Sequence, residues 1–406
     1  MTKRPCSPRT VRTARAVLAA FLTAAAMAGA AMAGAAPAPA PAGATVHVRP
    51  AARGGGHERT QAALDAAVRA GVPGALARVR DAHGTWNGSA GVADLHTERP
   101  RLAVDRFRAG SIGKPFTATV LLQLEAEHRL TLDDTVEKWL PGMVRGNGND
   151  GRRITLRHLL QQTSGLFDYT ADPEVLRNLT TTAFLKHRYD RWTPRRIVRT
   201  ATAHAPDFAP GTRYAYTPTG YVLAALVVEK ATGRSYEEEV ERRIIAPLGL
   251  HSTRLPRHER TVPAPAGRGY SRFTDDPDRR MHDVTDFDPS LIRATGDLIS
   301  TGADLDRFLT ALLQGRLLPP AQQQELRTTV PTGDGSGAAY GLGLFRYTLC
   351  GTEVWGHTGL FVGTQSIAFV SADTRHSLVL NFNTDTVSDT DAAGDVFQAE
   401  FCPASQ

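Results

Sequence analysis

The order of periodic patterns along the chain constrains its fold more than any other feature. Alternating apolar residues predict two paired strands at residues 75–80 and 85–92. Helical apolar spacing dominates the middle of the chain, and strand-like segments return towards the C-terminus. A helical insertion between two halves of one sheet explains this order. We therefore predict an α/β (α+β) fold in which helices flank an antiparallel sheet, with an all-helical subdomain inserted at about residues 115–265.

Each element of this prediction has its own sequence pattern. Helices are predicted at residues 58–70, 111–127, 154–162, 221–231, 304–313 and 391–401. Short C-terminal strands are predicted at residues 340–345, 353–356, 364–370 and 377–383.

The N-terminal segment has the pattern of an export signal. Five basic residues precede an alanine-rich apolar run at residues 16–33, and small residues suited to cleavage follow. We expect a Sec-type signal peptide over residues 1–36, with a membrane anchor as the alternative. A Pro/Ala/Gly-rich linker, expected to be disordered, occupies residues 37–56. The folded domain is expected at residues 57–402 of a secreted bacterial protein.

The charge and the cysteine content indicate which binding partners and which covalent bonds to expect. Loss of the five basic residues of the signal segment would lower the formal net charge from +6 to +1. We therefore expect neither a nucleic-acid partner nor, without a second long apolar run, a membrane partner for the mature form. Cys6 would be lost with the signal, which leaves Cys350 and Cys402 as an even pair. In an oxidising compartment such a pair predicts a disulfide, and a metal site is not expected.

The first chemical motif pairs Ser111 with Lys114 at the start of the strongest helical pattern. Residues three apart lie on one helix face. A serine hydroxyl becomes an effective nucleophile when a neighbour takes its proton, and a lysine can do so if burial or a nearby cation lowers its pKa. Of the four lysines after residue 36, Lys114 alone has a serine three residues before it. The alternative is an N-cap serine followed by a solvated lysine.

Two further motifs carry polar groups suited to the same chemistry. Tyr216 could act as base to the nucleophile and acid to the leaving group, or could be a half-buried aromatic residue at a turn. In His357-Thr358-Gly359, the glycine would let a substrate backbone approach. The threonine hydroxyl could bind a carboxylate and the histidine could complete a polar network. We expect this motif at the beginning or end of a strand, where a simple turn is the alternative.

Together these motifs resemble those of the penicillin-recognising serine hydrolases, with His-Thr-Gly in the place of that group's Lys-Thr-Gly. The combination is similar to the secreted D-alanyl-D-alanine carboxypeptidases of the class C β-lactamase-like branch. The likeness extends over about residues 58–402. It is carried by GVADLHTERP, FRAGSIGKPFTATVLLQLE, ITLRHLLQQTSGLFDYT, GYVLAALVVEKATG, YGLGL and GHTG.

The resemblance implies a β-lactamase/transpeptidase-like fold and a mechanism without a cofactor. Ser111 would attack the carbonyl between the two D-alanines of a peptidoglycan stem peptide, and Lys114 and Tyr216 would transfer the proton. Water would then hydrolyse the acyl-enzyme, and β-lactams would inhibit the enzyme by acylating Ser111. Cys350 and Cys402 fall where the secreted carboxypeptidases of this type place a disulfide.

The resemblance also implies how the substrate is held. The backbone N–H groups of Ser111 and Leu360 would form the oxyanion hole. Thr358 and Arg346 would bind the terminal carboxylate, with His357 and Gly359 completing the substrate-binding motif.

Two residues depart from the family pattern. The family's middle motif is Tyr-x-Asn, and Pro218 stands at the position of the asparagine. Proline offers neither an amide side chain nor a backbone N–H. The carboxypeptidases usually have threonine where this chain has Leu360, which keeps the backbone N–H but removes a hydroxyl.

We therefore predict a secreted, monomeric D-alanyl-D-alanine carboxypeptidase. A β-lactamase, an esterase or a D-aminopeptidase on the same scaffold remains the alternative, because a fold does not determine the substrate. A penicillin-binding protein that acylates but turns over slowly is a further alternative, favoured by Pro218.

Overall fold

The structure is a computed structural model that describes residues 56–386 and 391–402. The predicted signal peptide and almost all of the predicted linker lie outside the described residues. The helices are α1 (Glu58–Arg69), α2 (Lys114–Ala126), α3 (Val136–Trp139), α4 (Leu156–Leu160), α5 (Pro173–Thr180), α6 (Ala183–His187), α7 (Pro194–Thr202), α8 (Thr219–Thr232), α9 (Tyr236–Val240), α10 (Ala246–Leu248), α11 (Gly302–Leu313), α12 (Pro320–Leu326) and α13 (Ala392–Phe401).

Short strands and long strands are both present. They are β1 (Gly74–Asp81), β2 (Gly84–Gly91), β3 (Phe107–Arg108), β4 (Arg145–Gly146), β5 (Asn149–Asp150), β6 (Tyr270–Ser271), β7 (His282–Asp283), β8 (Ile299–Ser300), β9 (Val330–Pro331), β10 (Ala339–Tyr340), β11 (Phe345–Leu349), β12 (Thr352–Phe361), β13 (Thr364–Ser371) and β14 (Ser377–Phe382).

Eight of these strands form one antiparallel sheet in the order β2-β1-β14-β13-β12-β11-β10-β9. The two ends of the fold meet where β1 pairs with β14, in a register that sets Ala75 opposite Phe382. The helical region leaves the sheet after β2 and the chain returns to it at β9. The predicted antiparallel sheet interrupted by helices is confirmed.

The sheet is covered on both faces, and the side chains of β1 show why. Ala75, Ala77 and Val79 belong to the core beneath α1 and α13, whereas Leu76 belongs to the core shared with α2, α8 and α11. Successive side chains of a strand point to opposite faces, so a strand that is apolar at consecutive positions must be buried on both. This burial holds the large helical region against one face.

Helix α2 is the central helix of that region. Phe116, Val120 and Leu121 are fully buried, and Phe116 stacks on Phe308 of α11 with ring centroids 3.6 Å apart. Helix α8 is buried along most of its length and ends at Gly233, whose φ of 73° is the left-handed conformation that glycine adopts easily at a helix C-terminus. Within residues 56–386 and 391–402, no helix combines the length and apolar character needed to cross a bilayer.

The inserted region differs from the prediction in two respects. It is not all-helical, because β4 and β5 form a short hairpin within it. Its last α-helix, α10, ends at Leu248. The chain from there to β8 contains the β6–β7 pair, one 3₁₀ turn (Pro289–Ile292) and irregular segments. Polar and proline-rich composition in that stretch gives too little apolar periodicity for a helix.

The predicted strand at residues 340–345 is also wrong, because the chain turns between β10 and β11. Gly343 has a φ of 84°, and a Cβ at this position would lie 3.0 Å from Ala118 Cβ and 3.3 Å from the Lys114 carbonyl oxygen. The turn therefore packs directly on α2 where a larger residue would not fit. The apolar letters of YGLGL reflect this contact rather than a continuous strand.

A disulfide joins Cys350, in the turn between β11 and β12, to Cys402 at the end of α13, as the sequence predicts. Their Cα atoms are 5.4 Å apart, and 52 residues separate them along the chain. The bridge therefore ties the C-terminal helix to the turn between two inner strands of the main sheet.

We expect replacement of both cysteines, Cys350→Ser with Cys402→Ser, to lower the free energy of unfolding by roughly 4 kcal/mol, the entropy of closing a loop of this length. Thermal midpoints of the unreduced wild type and the variant test this. Wild-type protein in excess reductant is the matched control, since it should unfold with the variant. Equal midpoints, or free thiols in the unreduced wild type, would contradict the prediction.

Candidate active site

Ser111 lies in a 3₁₀ turn, Gly110–Gly113, that leads directly into α2. The predicted continuous helix over residues 111–127 therefore begins three residues later than expected. Gly110 has a φ of 58°, which turns the chain sharply from β3 into the helical segment. The 3-residue spacing nevertheless brings the Ser111 and Lys114 side chains together, as the sequence predicts.

Lys114 is completely buried and lies beside the serine. Its Nζ is hydrogen-bonded to Ser111 Oγ at 2.8 Å and donates to the Thr295 carbonyl oxygen at 2.8 Å. Burial lowers the pKa of Lys114 to about 7, although the charges of Asp168 and Asp297 act in the opposite direction. A substantial fraction of the amine is therefore neutral near neutral pH, and a neutral amine can accept the serine proton.

The Thr295 carbonyl that holds Lys114 is presented by a tight turn which the sequence analysis did not identify. Asp297 Oδ1 accepts a hydrogen bond from the Ala294 N–H at 3.0 Å, and Ala294 has a φ of 63°. Arg293 anchors the turn from the other side through ion pairs with Glu229 and Glu237. The sequence signal for this turn is Asp297, a single acidic residue within the largely apolar stretch ATGDLIS.

Tyr216 faces the same pair. Its ring centroid is 5.0 Å from Lys114 Nζ, and its side chain hydrogen-bonds to Ser111. Burial raises the pKa of the phenol well above its usual value, so the hydroxyl stays protonated at neutral pH. The Gln162 side chain positions this segment, since Gln162 Oε1 accepts from the Thr217 N–H at 2.9 Å. Gln162 lies in a motif used for the resemblance but was not predicted as a site residue.

His357 is buried within β12, so the expectation that its motif would mark a strand end is wrong. Its Nδ1 lies 2.5 Å from the Thr358 carbonyl oxygen and its Nε2 lies 3.1 Å from the Tyr340 hydroxyl. A carbonyl can only accept, which assigns the proton to Nδ1 and makes the tyrosine the donor to Nε2. Burial and the positive charge of Lys114 lower the pKa of His357 to about 3, so the ring is neutral.

Strand β12 passes unusually close to the turn that carries Ser111. A Cβ added to Gly359 would lie 2.0 Å from the Ala109 carbonyl oxygen, and one added to Gly110 would lie 2.9 Å from the Leu360 backbone nitrogen. Glycine is therefore required on both sides of this backbone contact. The contact sets the Leu360 N–H next to the segment that enters Ser111, the place where the sequence analysis predicts an oxyanion hole.

The predicted carboxylate-binding residues lie at different places on the sheet. Thr358 is half-buried beside His357, and the Leu360 side chain is 37 % exposed. Arg346 on β11 pairs through its backbone with Trp355, two residues before His357, and among the residues that the structure describes its side chain has no hydrogen-bond or ion-pair partner. Its predicted role in holding a carboxylate stays a prediction.

Pro218 is buried at the start of α8, where its carbonyl oxygen accepts from the Tyr221 N–H at 3.0 Å. Both neighbouring hydroxyls that could replace an asparagine amide take part in local hydrogen bonds, although Thr217 keeps its own O–H as a donor. Thr217 Oγ1 accepts from the Thr219 N–H at 3.2 Å, and Thr219 Oγ1 donates to the Phe167 carbonyl oxygen at 2.7 Å. No cluster of three metal-ligating side chains occurs in the part of the chain that the structure describes.

A serine hydroxyl bonded to a buried lysine, at the start of a helix packed on an antiparallel sheet, defines a serine hydrolase of the penicillin-binding and β-lactamase type. The Beta-lactamase family model matches residues 57–401. The chain belongs to this family.

Solved structures of related proteins have the same fold. A D-stereospecific amidohydrolase from Streptomyces sp. superposes with a TM-score of 0.80 at 49 % identity, covering 86 % of this chain and 99 % of that one. A D-amino acid amidase from Ochrobactrum anthropi SV3, complexed with D-phenylalanine, gives a TM-score of 0.73 at 28 % identity over 84 % and 98 % of the two chains.

Curated relatives carry two kinds of name. Penicillin-binding protein 4* of Bacillus subtilis (strain 168) is 26 % identical over 72 % of this chain and 64 % of its own length. A D-aminopeptidase of Cereibacter sphaeroides (strain KD131) is 30 % identical over 79 % of this chain and 60 % of its own. The chain thus spans under two thirds of the length of these relatives.

We expect acylation to depend on pH through Lys114. Protonated Lys114 cannot accept the serine proton, so kcat/KM for p-nitrophenyl acetate should fall about tenfold per unit below pH ~7 and level off above it. The Tyr216→Phe variant is the control, because it should be slower and keep the same midpoint. A midpoint near the usual lysine value, or one that moves with Tyr216→Phe, would contradict the assignment.

Proposed function

We propose that this chain is a D-stereospecific amidohydrolase, which cleaves amides and esters whose carbonyl belongs to a D-amino-acid residue. The carrying observation is Leu360 on β12, whose exposed apolar side chain stands where the carboxypeptidases usually have threonine. Leucine supplies neither a hydroxyl nor a positive charge for a substrate carboxylate. An amide or ester whose leaving group lacks a carboxylate therefore fits the site better than a peptide ending in free D-alanine.

The reaction proceeds through an acyl-enzyme. Ser111 Oγ attacks the substrate carbonyl while its proton passes to the neutral Lys114 Nζ. The negative charge that develops on the carbonyl oxygen is stabilised by the backbone N–H groups of Ser111 and Leu360. The leaving nitrogen receives a proton through the Tyr216 hydroxyl, which Lys114 replenishes. Water then attacks the ester carbonyl with proton transfer in reverse, and releases the acid and free Ser111.

These protonation states assign different roles to Lys114 and Tyr216, the two candidate bases. The phenol of Tyr216 stays protonated at neutral pH and so serves as a donor and relay, whereas Lys114 titrates near neutrality. The general base is therefore Lys114. This choice was open from the sequence, because the spacing of the motifs contains no information about burial.

The preference for a D-residue on the carbonyl side is supported by similarity to proteins named for it. The amidohydrolase from Streptomyces matches over 99 % of its chain at 49 % identity, and the amidase from Ochrobactrum was solved with D-phenylalanine. Both differ in name from the carboxypeptidases that the motifs suggest.

A second candidate is the predicted D-alanyl-D-alanine carboxypeptidase acting on peptidoglycan stem peptides. Arg346 favours it, since its guanidinium has no partner among the described residues and is available to a substrate carboxylate. The relatives named penicillin-binding proteins favour it as well. This function needs the export that the pattern of residues 1–36 predicts.

A substrate panel separates these activities. We expect the wild type to hydrolyse D-phenylalanine amide and D-alanine p-nitroanilide at least tenfold faster than their L-isomers, with little release of D-alanine from diacetyl-Lys-D-Ala-D-Ala. Ser111→Ala, which removes the nucleophile, should abolish both turnover and labelling by a fluorescent penicillin. Predominant D-alanine release would favour the carboxypeptidase, and rapid nitrocefin turnover would favour a β-lactamase. Activity in Ser111→Ala would overturn the mechanism.

Pro218 provides a second test. Pro218→Asn would introduce the amide that the family motif carries, and a hydrogen bond made to a charged group mainly in the transition state is worth about 1.5–3 kcal/mol, or roughly ten- to a hundredfold in rate. For an amidohydrolase adapted to proline, we instead expect acylation by penicillin or the stem peptide to be unchanged or slower. The thermal midpoint of the same variant is the control for folding. A rise of tenfold or more would point to the carboxypeptidase.

A further inference from the structure

A cavity separate from Ser111 lies where the β12–β13 turn meets the end of β14 and the β6–β7 region. Its free volume is about 30 Å³, which corresponds to roughly two water molecules. Three arginines line it, Arg101, Arg108 and Arg268, together with the side chains of Asn381 and Asn383. Such a concentration of positive charge in so small a space requires an explanation.

Arg101 is buried to 2 % exposure with most of its donors unused. Its Nη2 donates to Asn381 Oδ1 at 2.6 Å, but Nε and Nη1 have no hydrogen-bond partner among the described residues. Burial lowers its pKa to about 10, so the group is still charged at neutral pH. An isolated buried charge is costly unless it is paired.

Arg108 has the same character at 5 % exposure. Its Nη2 donates to the Arg260 carbonyl oxygen at 2.6 Å and its guanidinium carbon lies 4.1 Å from the Phe287 ring centroid. In the part of the chain that the structure describes, its Nε and Nη1 have no hydrogen-bond partner. Burial lowers its pKa to about 10 as well. Arg108 is therefore a second buried cation with free donors on the same cavity.

No carboxylate forms a direct ion pair with either guanidinium group among the described residues, although the charge of Asp105 acts on Arg101 and the charges of Asp297, Asp286 and Asp288 act on Arg108 from a longer distance. Asp283 is engaged by Arg268, and Asp105 is paired with Arg99 at 3.0 Å. A water molecule could pair with the unpartnered Asn383 Oδ1, but water cannot balance two guanidinium charges.

We propose that this cavity is a binding site for one small monovalent anion, of the size of chloride, bromide or formate, held by the free N–H donors of Arg101 and Arg108. A free volume of about 30 Å³ favours an anion of this size over larger ones. The ligand is structural: Arg108 lies three residues before Ser111, and the Thr364 hydroxyl donates to the Arg108 carbonyl oxygen at 2.9 Å. An anion on Arg108 therefore stabilises the segment that leads into the nucleophile, independently of which substrate the enzyme cleaves.

The test compares sodium chloride, bromide and formate with sodium gluconate, whose anion is too large for the cavity, at equal sodium concentration and ionic strength. We expect the thermal midpoint of the wild type, purified without chloride, to rise saturably by about 2 °C or more with each small anion and not with gluconate. Arg101→Gln with Arg108→Gln should lose this response. Arg129→Gln, which removes an exposed arginine bonded to the Ala231 carbonyl oxygen, should keep it.

The comparison of variants in each salt sharpens the outcome. Without the anion, two unpaired buried charges are unfavourable, so the double variant should be at least as stable as the wild type in gluconate and less stable in chloride. If the double variant fails to fold, anomalous diffraction from wild-type crystals grown in sodium bromide tests the proposal. We expect a bromide peak beside both guanidinium groups. No peak in the cavity, or identical wild-type midpoints in chloride and gluconate, would overturn the proposal.

Discussion

The active site depends on a lysine that the fold has removed from water. Lys114 begins α2 with no exposed surface, and its amine contacts two protein oxygens rather than a carboxylate. Charging such a group is unfavourable, so its proton is held weakly and the amine becomes a base near neutral pH. The same burial lowers the free energy of unfolding below about pH 7, because the lysine must then be charged inside the folded protein. This cost is relieved as the pH rises from about 7 towards the pKa of the lysine in the unfolded chain.

The surrounding structure keeps this lysine in position. The turn that presents the Thr295 carbonyl is fixed by Asp297, whose own pKa is raised to about 7 by burial and by the charge of Glu237. Arg293 bridges that turn to the helical region through Glu229 and Glu237. Lys114 therefore lies between α2 and a loop that is anchored on helices of the inserted region. The position of its amine depends on the packing of that region.

The sequence predicts most of the fold because its patterns are local. Alternating apolar residues predict β1 and β2, and apolar residues at helical spacing predict α8. Each predicted element lies within a few residues of its observed limits. Gly343 and Ala294 mark where prediction fails, because their backbone geometry is set by packing against distant segments. Ser111 and Lys114 are near each other in sequence and were paired correctly. The carbonyl of Thr295 offers no side-chain signal, so its contact with Lys114 could be found only in the structure.

The third motif shows how one substitution changes the electrostatics of the whole site. A lysine at the position of His357 would place a second cation close to Lys114 and would add a charge for a substrate carboxylate. The buried imidazole instead stays neutral, because Lys114 and burial both oppose its protonation. In the proposed function, the exposed Leu360 side chain further along β12 makes the leaving-group side less polar while Lys114 is unchanged. Nucleophile chemistry and leaving-group recognition are therefore separable in this fold, and the resemblance that identifies the first does not determine the second.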